Sequence, residues 1–412
     1  MTSDHSPPAT IPPWLAAAAR RPRVAGSGPT VLQVLPSLES GGGGVERSAL
    51  DIASALAGAG WRPIVASSGG DLVHDLVRIG APHVALPLAS KNPIALWHNI
   101  SRLEYLIEAH DVKLIHARSR APAWSAYYAA KRRGLPFVTT VHGTYNANNP
   151  LKHSYNRIMT KGDIIIANSE FTADYVRQHY GIDDTRLRVI PRGIDLVRFD
   201  PASVSSERVI KLARTWRLPE DLPIVMLPGR LTRWKGQAIL IEALARLGRK
   251  DIRCVLVGSD QGRSTYRREL ESKAKAAGLS EIIQVVDHCA DMPAAYKLAS
   301  VVVSASTDPE AFGRIAVEAQ AMERPIIATD HGGSRETIKT GVSAWLTPPG
   351  GVAALTEALS AALSLTPKIR DAATKEAAEF VRANYDRELM GQRTLAVYEE
   401  LLGKQPAVSS SS

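Results

Sequence analysis

Residues 301–338, VVVSASTDPEAFGRIAVEAQAMERPIIATDHGGSRETI, decide the reading of the fold. The stretch opens on the β-branched run VVVSAS, has a helical pattern beyond Gly313, and closes on a second apolar run, PIIATD. Strand, helix and strand in that order make a βαβ unit, which places both strands in one parallel sheet. The same alternation runs back toward the N-terminus through IVMLPGR, RCVLVG and IIQVV. It pauses over the polar stretch 200–223, rich in Ser, Arg and Pro. Before the pause it appears again in VLQVLP, RPIVAS, HVALP, KLIHA, FVTTV, IIIAN and RVIP, with helical segments such as VERSALDIASALAGAG between. Repeated βα units specify a parallel sheet covered by helices.

The expected fold is therefore α/β, with two doubly wound Rossmann-like domains facing across a cleft. The divisions expected are a flexible arm over 1–29, an N-terminal domain over 30–200 and a linker over 201–222. A C-terminal domain over 223–385, a helix over 386–403 and a disordered tail over 404–412 complete the chain. In open parallel sheets ligands sit beyond the carboxyl ends of the strands, so the chemistry is expected in the loops that follow them.

Composition narrows the function classes. The chain has 412 residues, 45% hydrophobic and 22% charged, as in ordinary soluble proteins. No run approaches the roughly 18 apolar residues of a membrane span. The start, MTSDHSPPAT, has acid and proline where a signal peptide has basic charge, and the apolar run 14–19 is too short. This reads as a cytoplasmic protein. Cys254 and Cys289 are too few for a disulfide framework or a zinc site, and Cys254 falls within a buried-strand pattern. The net charge is +9, of which +6 falls on residues 1–200. That excess suits a polyanionic partner such as a phospholipid surface or a phosphorylated glycan, although mild basicity without local meaning explains it equally well. A nucleic-acid binder would show a denser basic stripe with aromatics, so no nucleic acid is expected.

Each loop adds candidates. The glycine run 41–44 precedes a helix, and glycine lets backbone approach a phosphate or sugar. The G-x-G-x-x-G fingerprint is unmet because Glu46 stands where its third glycine would be. His142 stands at the end of FVTTV and is placed to hydrogen-bond substrate. Arg118 and Arg120, after KLIHA, are suited to an anionic acceptor. Arg230 and Lys235 lie between IVMLPGR and a helix, a fork and a point charge for a diphosphate. Glu310 precedes the helix and Glu318 lies two turns in, with Phe312 and Gly313 amides near its start. One acid is placed to accept sugar hydroxyls, the other a ribose diol. A glycosidase pair would need its acids facing across one bond, which the helix entry makes awkward.

With those segments in view, the chain resembles the family 4 retaining glycosyltransferases, whose two-Rossmann-domain architecture is called GT-B. GGGGVERS, HGTYN, NSEFTADYV, VIPRGIDLVRF, PGRLTRWKG and EAFGRIAVEAQAM occur in the family's order and span roughly residues 30–400. The resemblance implies that Arg230 and Lys235 bind the donor diphosphate and that Glu310 holds the donor sugar. It implies that amides around Phe312 and Gly313 hold the distal phosphate and Glu318 the ribose. Gly43 and Gly44 would line the donor site from the other domain, and His142 would contact the hexose near its reacting carbon. The helix over 386–403 would cross back to the N-terminal domain. The N-terminal half would bind the acceptor, with Arg118, Arg120, Tyr145 and Arg192 as contacts. Where the family usually has Asn-Gly-Val-Asp, this chain has Arg192-Gly193-Ile194-Asp195.

The expected activity is retaining transfer of a hexose from a UDP- or GDP-hexose donor to a glycan or lipid-linked acceptor, in lipopolysaccharide or other envelope synthesis. Neither a metal nor a cofactor is implied, and an anionic membrane surface at the inner face is a further expected partner. Two other readings stand beside it, a nucleotide-sugar 2-epimerase and a non-catalytic sugar-binding module.

Overall fold

The computed structural model describes residues 26–39, 44–145, 149–262 and 264–403. The strands are β1 Thr30–Val34, β2 Arg62–Ser67, β3 His83–Ala85, β4 Val112–Ala117, β5 Phe137–Val141, β6 Ile164–Ala167, β7 Leu187–Val189, β8 Ile224–Pro228, β9 Arg253–Val257, β10 Ile283–Val286, β11 Val301–Ser304, β12 Ile326–Thr329 and β13 Ala344–Thr347. The α-helices of the first half are α1 Gly44–Gly58, α2 Val73–Ile79, α3 Pro93–Ala109, α4 Arg120–Arg133, α5 Pro150–Asn156 and α6 Glu170–Tyr180. Those of the second half are α7 Ser206–Thr215, α8 Gln237–Leu247, α9 Ser264–Ala276, α10 Met292–Leu298, α11 Arg314–Ala321, α12 Ser334–Thr337, α13 Val352–Leu363, α14 Pro367–Asn384 and α15 Arg387–Gly403.

The chain forms two compact units. Unit 1 comprises Met1–Ala167, Val176–Arg188 and Gly391–Ser412; unit 2 comprises Asn168–Tyr175 and Val189–Met390. Unit 1 is built on a seven-stranded sheet in the order β3-β2-β1-β4-β5-β6-β7, and unit 2 on a six-stranded sheet in the order β10-β9-β8-β11-β12-β13. The order reverses between β1 and β4 in one sheet and between β8 and β11 in the other, the position where ligands enter such sheets. The strands are Val- and Ile-rich because helices cover both faces: β1, β5, β8 and β11 are buried along their whole length.

The stretches 168–175 and 189–200, expected in the N-terminal domain, belong to unit 2, so Arg192 lies there too. Two further placements differ from the sequence reading. The stretch 201–222, expected as a linker, carries α7, and Arg208 on it forks onto Asp291 at 2.6 and 2.9 Å. Val204 and Trp216 enter the apolar core of unit 2, so the stretch belongs to that unit's packing. Polar composition concealed it, because its apolar side is narrow. β13 was also missed, having a single β-branched residue, Thr347, and standing directly before Pro348 and Pro349. The arm's first 25 residues and the tail 404–412 lie outside the described residues.

Candidate donor site and its surroundings

The loops after β8 and β11 bring the strongest candidates of unit 2 together. A short 3-10 turn, Arg233–Lys235, leads into α8 and is closed by Gly236, at φ 74°. A side chain there would also put its Cβ 1.8 Å from the Ala305 carbonyl oxygen, so only glycine lets this turn lie against the loop after β11. The Thr307 amide donates to the Trp234 carbonyl at 2.7 Å and ties the two loops. Lys235 Nζ consequently donates to Glu310 Oε1, which also accepts from Ser306 Oγ at 2.7 Å. The Lys235 and Glu310 side chains are only 12% and 14% exposed. The ammonium lies 4.3 Å from the centre of the Trp234 ring. A pair this shielded interacts strongly and loses much hydration, so its net contribution to stability is small.

Glu318 has different partners. Its Oε2 accepts from the Tyr296 hydroxyl at 2.9 Å, and its Oε1 from Arg314 Nε and Nη2 at 3.0 and 2.6 Å. Tyr296 is fully buried, and burial, followed by the Glu318 charge, raises its hydroxyl pKa well above the usual value. It therefore stays a hydrogen-bond donor throughout the physiological range. Each acid has its own cation and its own hydroxyl. Phe312 is buried, and Gly313, at φ 85°, directly precedes α11. Arg230 is exposed; its carbonyl accepts from Gln237 Nε2 at 2.9 Å, and its guanidinium makes no ion pair among the described residues.

Arg192 precedes a segment used in packing within unit 2. Gly193 lies against the Arg387 backbone, Ile194 exchanges backbone hydrogen bonds with Tyr385 and Arg387, and Asp195 pairs with Arg387 at 2.6 Å. The departure from the usual motif thus sits where the start of α15 docks.

In unit 1, Gly44 is the first residue of α1, while Gly43 lies outside the described residues. His142 follows β5 directly and is partly buried. Arg118 and Arg120, both candidates for the acceptor from sequence, have different surroundings in the structure. Arg118 is 2% exposed and donates to Gln33 Oε1 at 2.7 Å and Ser48 Oγ at 3.2 Å. As placed it is an internal cation and does not present its charge to an acceptor. Arg120 starts α4, donates to Asn156 Oδ1 at 2.8 Å and lies 4.4 Å from the centre of the Tyr145 ring. Behind these residues, His116 bonds Tyr398 Oη and Thr140 Oγ1, both at 2.6 Å. Burial, then the Arg118 and His142 charges, hold the His116 pKa well below its usual value.

Trp234, Tyr296, Ser306 and Arg314 were not singled out from sequence. Arg314 had a readable signal, four residues before Glu318 on one helix face. Tyr296 had none, because it meets Glu318 only through the packing of α10 against α11.

Comparison with known proteins identifies the family and the fold. The family model described as Glycosyltransferase Family 4 matches residues 42–198, and that of Glycosyl transferases group 1 matches residues 210–380. A solved glycosyltransferase from Rickettsia africae is 35% identical, with TM-score 0.85 over 92% of this chain and 100% of that one. An Anabaena protein solved in complex with UDP and glucose is 23% identical, with TM-score 0.78 over 90% of this chain and 100% of that one. The D-inositol 3-phosphate glycosyltransferase of Xylanimonas cellulosilytica is 29% identical over 56% of this chain, and that of Geodermatophilus obscurus 27% identical over 75%. The matches span 58% and 72% of those two proteins. The two Rossmann-like sheets are those of the GT-B class. The chain belongs to the family 4 glycosyltransferases.

Proposed function

We propose that this glycosyltransferase moves a hexose, with retention and without a metal, from a UDP- or GDP-linked donor to a glycan or lipid-linked acceptor of the cell envelope. The observation that carries the donor half is the shielded Lys235–Glu310–Ser306 constellation beside the start of α11. Lys235 leaves Glu310 to meet the diphosphate, and Arg230 adds a second cation. Glu310, relieved of Lys235, accepts hydroxyls of the hexose. Glu318 exchanges its Arg314 contact for the ribose diol while Tyr296 keeps its other oxygen oriented. The amides of Phe312 and Gly313 take the distal phosphate. As the glycosidic bond breaks, negative charge grows on that phosphate, and these groups stabilise it. The departing diphosphate accepts the proton of the attacking hydroxyl, so no separate protein base is required. His142 is the candidate for a contact to the hexose near its reacting carbon, and Gly43 and Gly44 are candidates for further donor contacts.

Solved relatives of this fold bound to UDP and UDP-glucose support a nucleotide-sugar donor. Relatives named for D-inositol 3-phosphate support an acceptor that carries a phosphate, for which Arg120 and Tyr145 are the candidates in unit 1. Arg192 is the further candidate.

A donor panel screened by thermal shift tests the reading. A true donor at 100 times its dissociation constant adds about 2.7 kcal/mol of stability, and no response to any UDP- or GDP-sugar overturns it. Incubation with donor alone separates the 2-epimerase alternative, which would isomerise the sugar without any acceptor. A non-catalytic module would bind donor and never turn it over.

A further inference from the structure

We infer that Ser169 is a positioning residue of the donor site, setting the direction of the Phe312 amide. The inference rests on the donor-site reading above. Ser169 is 1% exposed and precedes α6. Its Oγ accepts from the Thr172 amide at 3.0 Å, as an N-cap does. The same oxygen donates its proton to the Ala311 carbonyl at 2.5 Å, and Thr172 Oγ1 reaches that carbonyl at 3.5 Å. All these residues belong to unit 2.

The carbonyl of Ala311 and the amide of Phe312 are two ends of one planar trans peptide group, so they point in opposite directions. Fixing the carbonyl on Ser169 fixes the amide away from it. A hydrogen bond to the carbonyl also polarises the peptide and makes its N–H a stronger donor to an anion. The neighbouring peptide is held from the other side, where the Gly333 amide donates to the Glu310 carbonyl at 2.8 Å. A Cβ on Gly332 would lie 2.4 Å from that oxygen, and one on Gly333 2.7 Å from the Ala311 oxygen, so the β12 loop leaves 310–312 little room to shift. Ser169 is itself held in place. The Glu336 carboxylate accepts from the amides of Glu170 and Phe171 at 2.8 and 2.6 Å, and the Glu336 carbonyl accepts from Tyr385 Oη at 2.6 Å. Two segments far apart in sequence thus orient a peptide expected to face the distal phosphate.

The test compares UDP and UMP, which differ by that phosphate, by calorimetry on the full chain. Ser169→Ala is expected to weaken UDP about tenfold and leave UMP unchanged, while Ser169→Thr, which keeps the hydroxyl, stays within about twofold of wild type for both. Donor turnover should fall in step with UDP affinity. Wild-type UDP affinity in Ser169→Ala overturns the inference. So does an equal loss of UDP and UMP binding, which marks general loosening of unit 2. Lys235→Ala serves as the control. If it loses UDP affinity while Ser169→Ala does not, the role of Ser169 alone fails. If Lys235→Ala binds UDP like wild type, the donor-site reading fails and the role of Ser169 with it.

Discussion

Lys235 and Glu310 neutralise each other, so a diphosphate entering this site has to compete with a carboxylate for the ammonium. With Lys235 on the diphosphate as proposed, its replacement by alanine should cost a charge-assisted contact worth about 1.5–3 kcal/mol, roughly ten- to a hundredfold in nucleoside diphosphate affinity. Replacing Glu310 with alanine should leave nucleotide affinity near wild type, or raise it by freeing the lysine, while turnover falls steeply. Glu318→Ala should weaken even the bare nucleotide, since ribose is common to donor and product. Calorimetry with the nucleotide, beside initial rates, checks all three, and equal losses of nucleotide affinity in the two acid variants would contradict the division of labour. Lys235, Glu310 and Glu318 could be singled out as candidates because each stands in a loop beside a strand end or on the helix that follows. Tyr296 and Ser169 were not, because their partners arrive from other elements and a residue string carries no record of that meeting.

The elements show the same boundary. Apolar or β-branched runs such as β8 and β11 could be read directly, because two-sided burial leaves a strand with few polar residues. β13, with one β-branched residue, and the polar α7 carried too little pattern. α15 shows what tertiary packing adds: Tyr398 is fully buried, stacks edge-on to His116 and hydrogen-bonds it. Unfolding returns His116 to a pKa of about 6.5, far above its folded value. Below that pH the unfolded chain takes up a proton that the folded chain refuses. This imidazole therefore lowers stability as pH falls, by up to about 1.4 kcal/mol per pH unit until the folded pKa is reached. Chemical unfolding of wild type and His116→Gln between about pH 7.5 and 5.5 measures the contribution. A shallower loss is expected in the variant, and parallel curves would contradict it. Tyr398→Phe leaves a buried imidazole nitrogen short of a partner and should cost about 1–3 kcal/mol at neutral pH.

For the whole molecule, charge and apolar exposure bear on where the acceptor is met. No helix among the described residues is long and apolar enough to cross a membrane. Ile94, Trp97 and Leu151 are exposed on α3 and α5, with Lys91 and Lys152 close in sequence. Arg132 and Arg133, candidates for a lipid surface by charge alone, pair with Glu104 and Glu108 at 3.5 and 3.3 Å. Reversing them would set like charges together, so Lys131 and Lys152, which make no ion pair among the described residues, are the cleaner substitutions. Each basic residue near an anionic bilayer is worth about 1 kcal/mol, screened by salt. We predict weak binding to anionic vesicles at low salt, lost at high salt and reduced by Lys131→Glu with Lys152→Glu, donor affinity being unchanged. Failure to co-sediment at low salt would favour an acceptor free in water.

On this reading unit 2 holds a nucleoside diphosphate on Lys235 and the start of α11. Calorimetric titration of UDP and of GDP into wild type and Lys235→Ala tests it most directly. Saturable binding of one of the two by wild type and at least about tenfold weaker binding by the variant are expected. Equal affinity in both proteins, or no binding of either nucleotide by wild type, would contradict it.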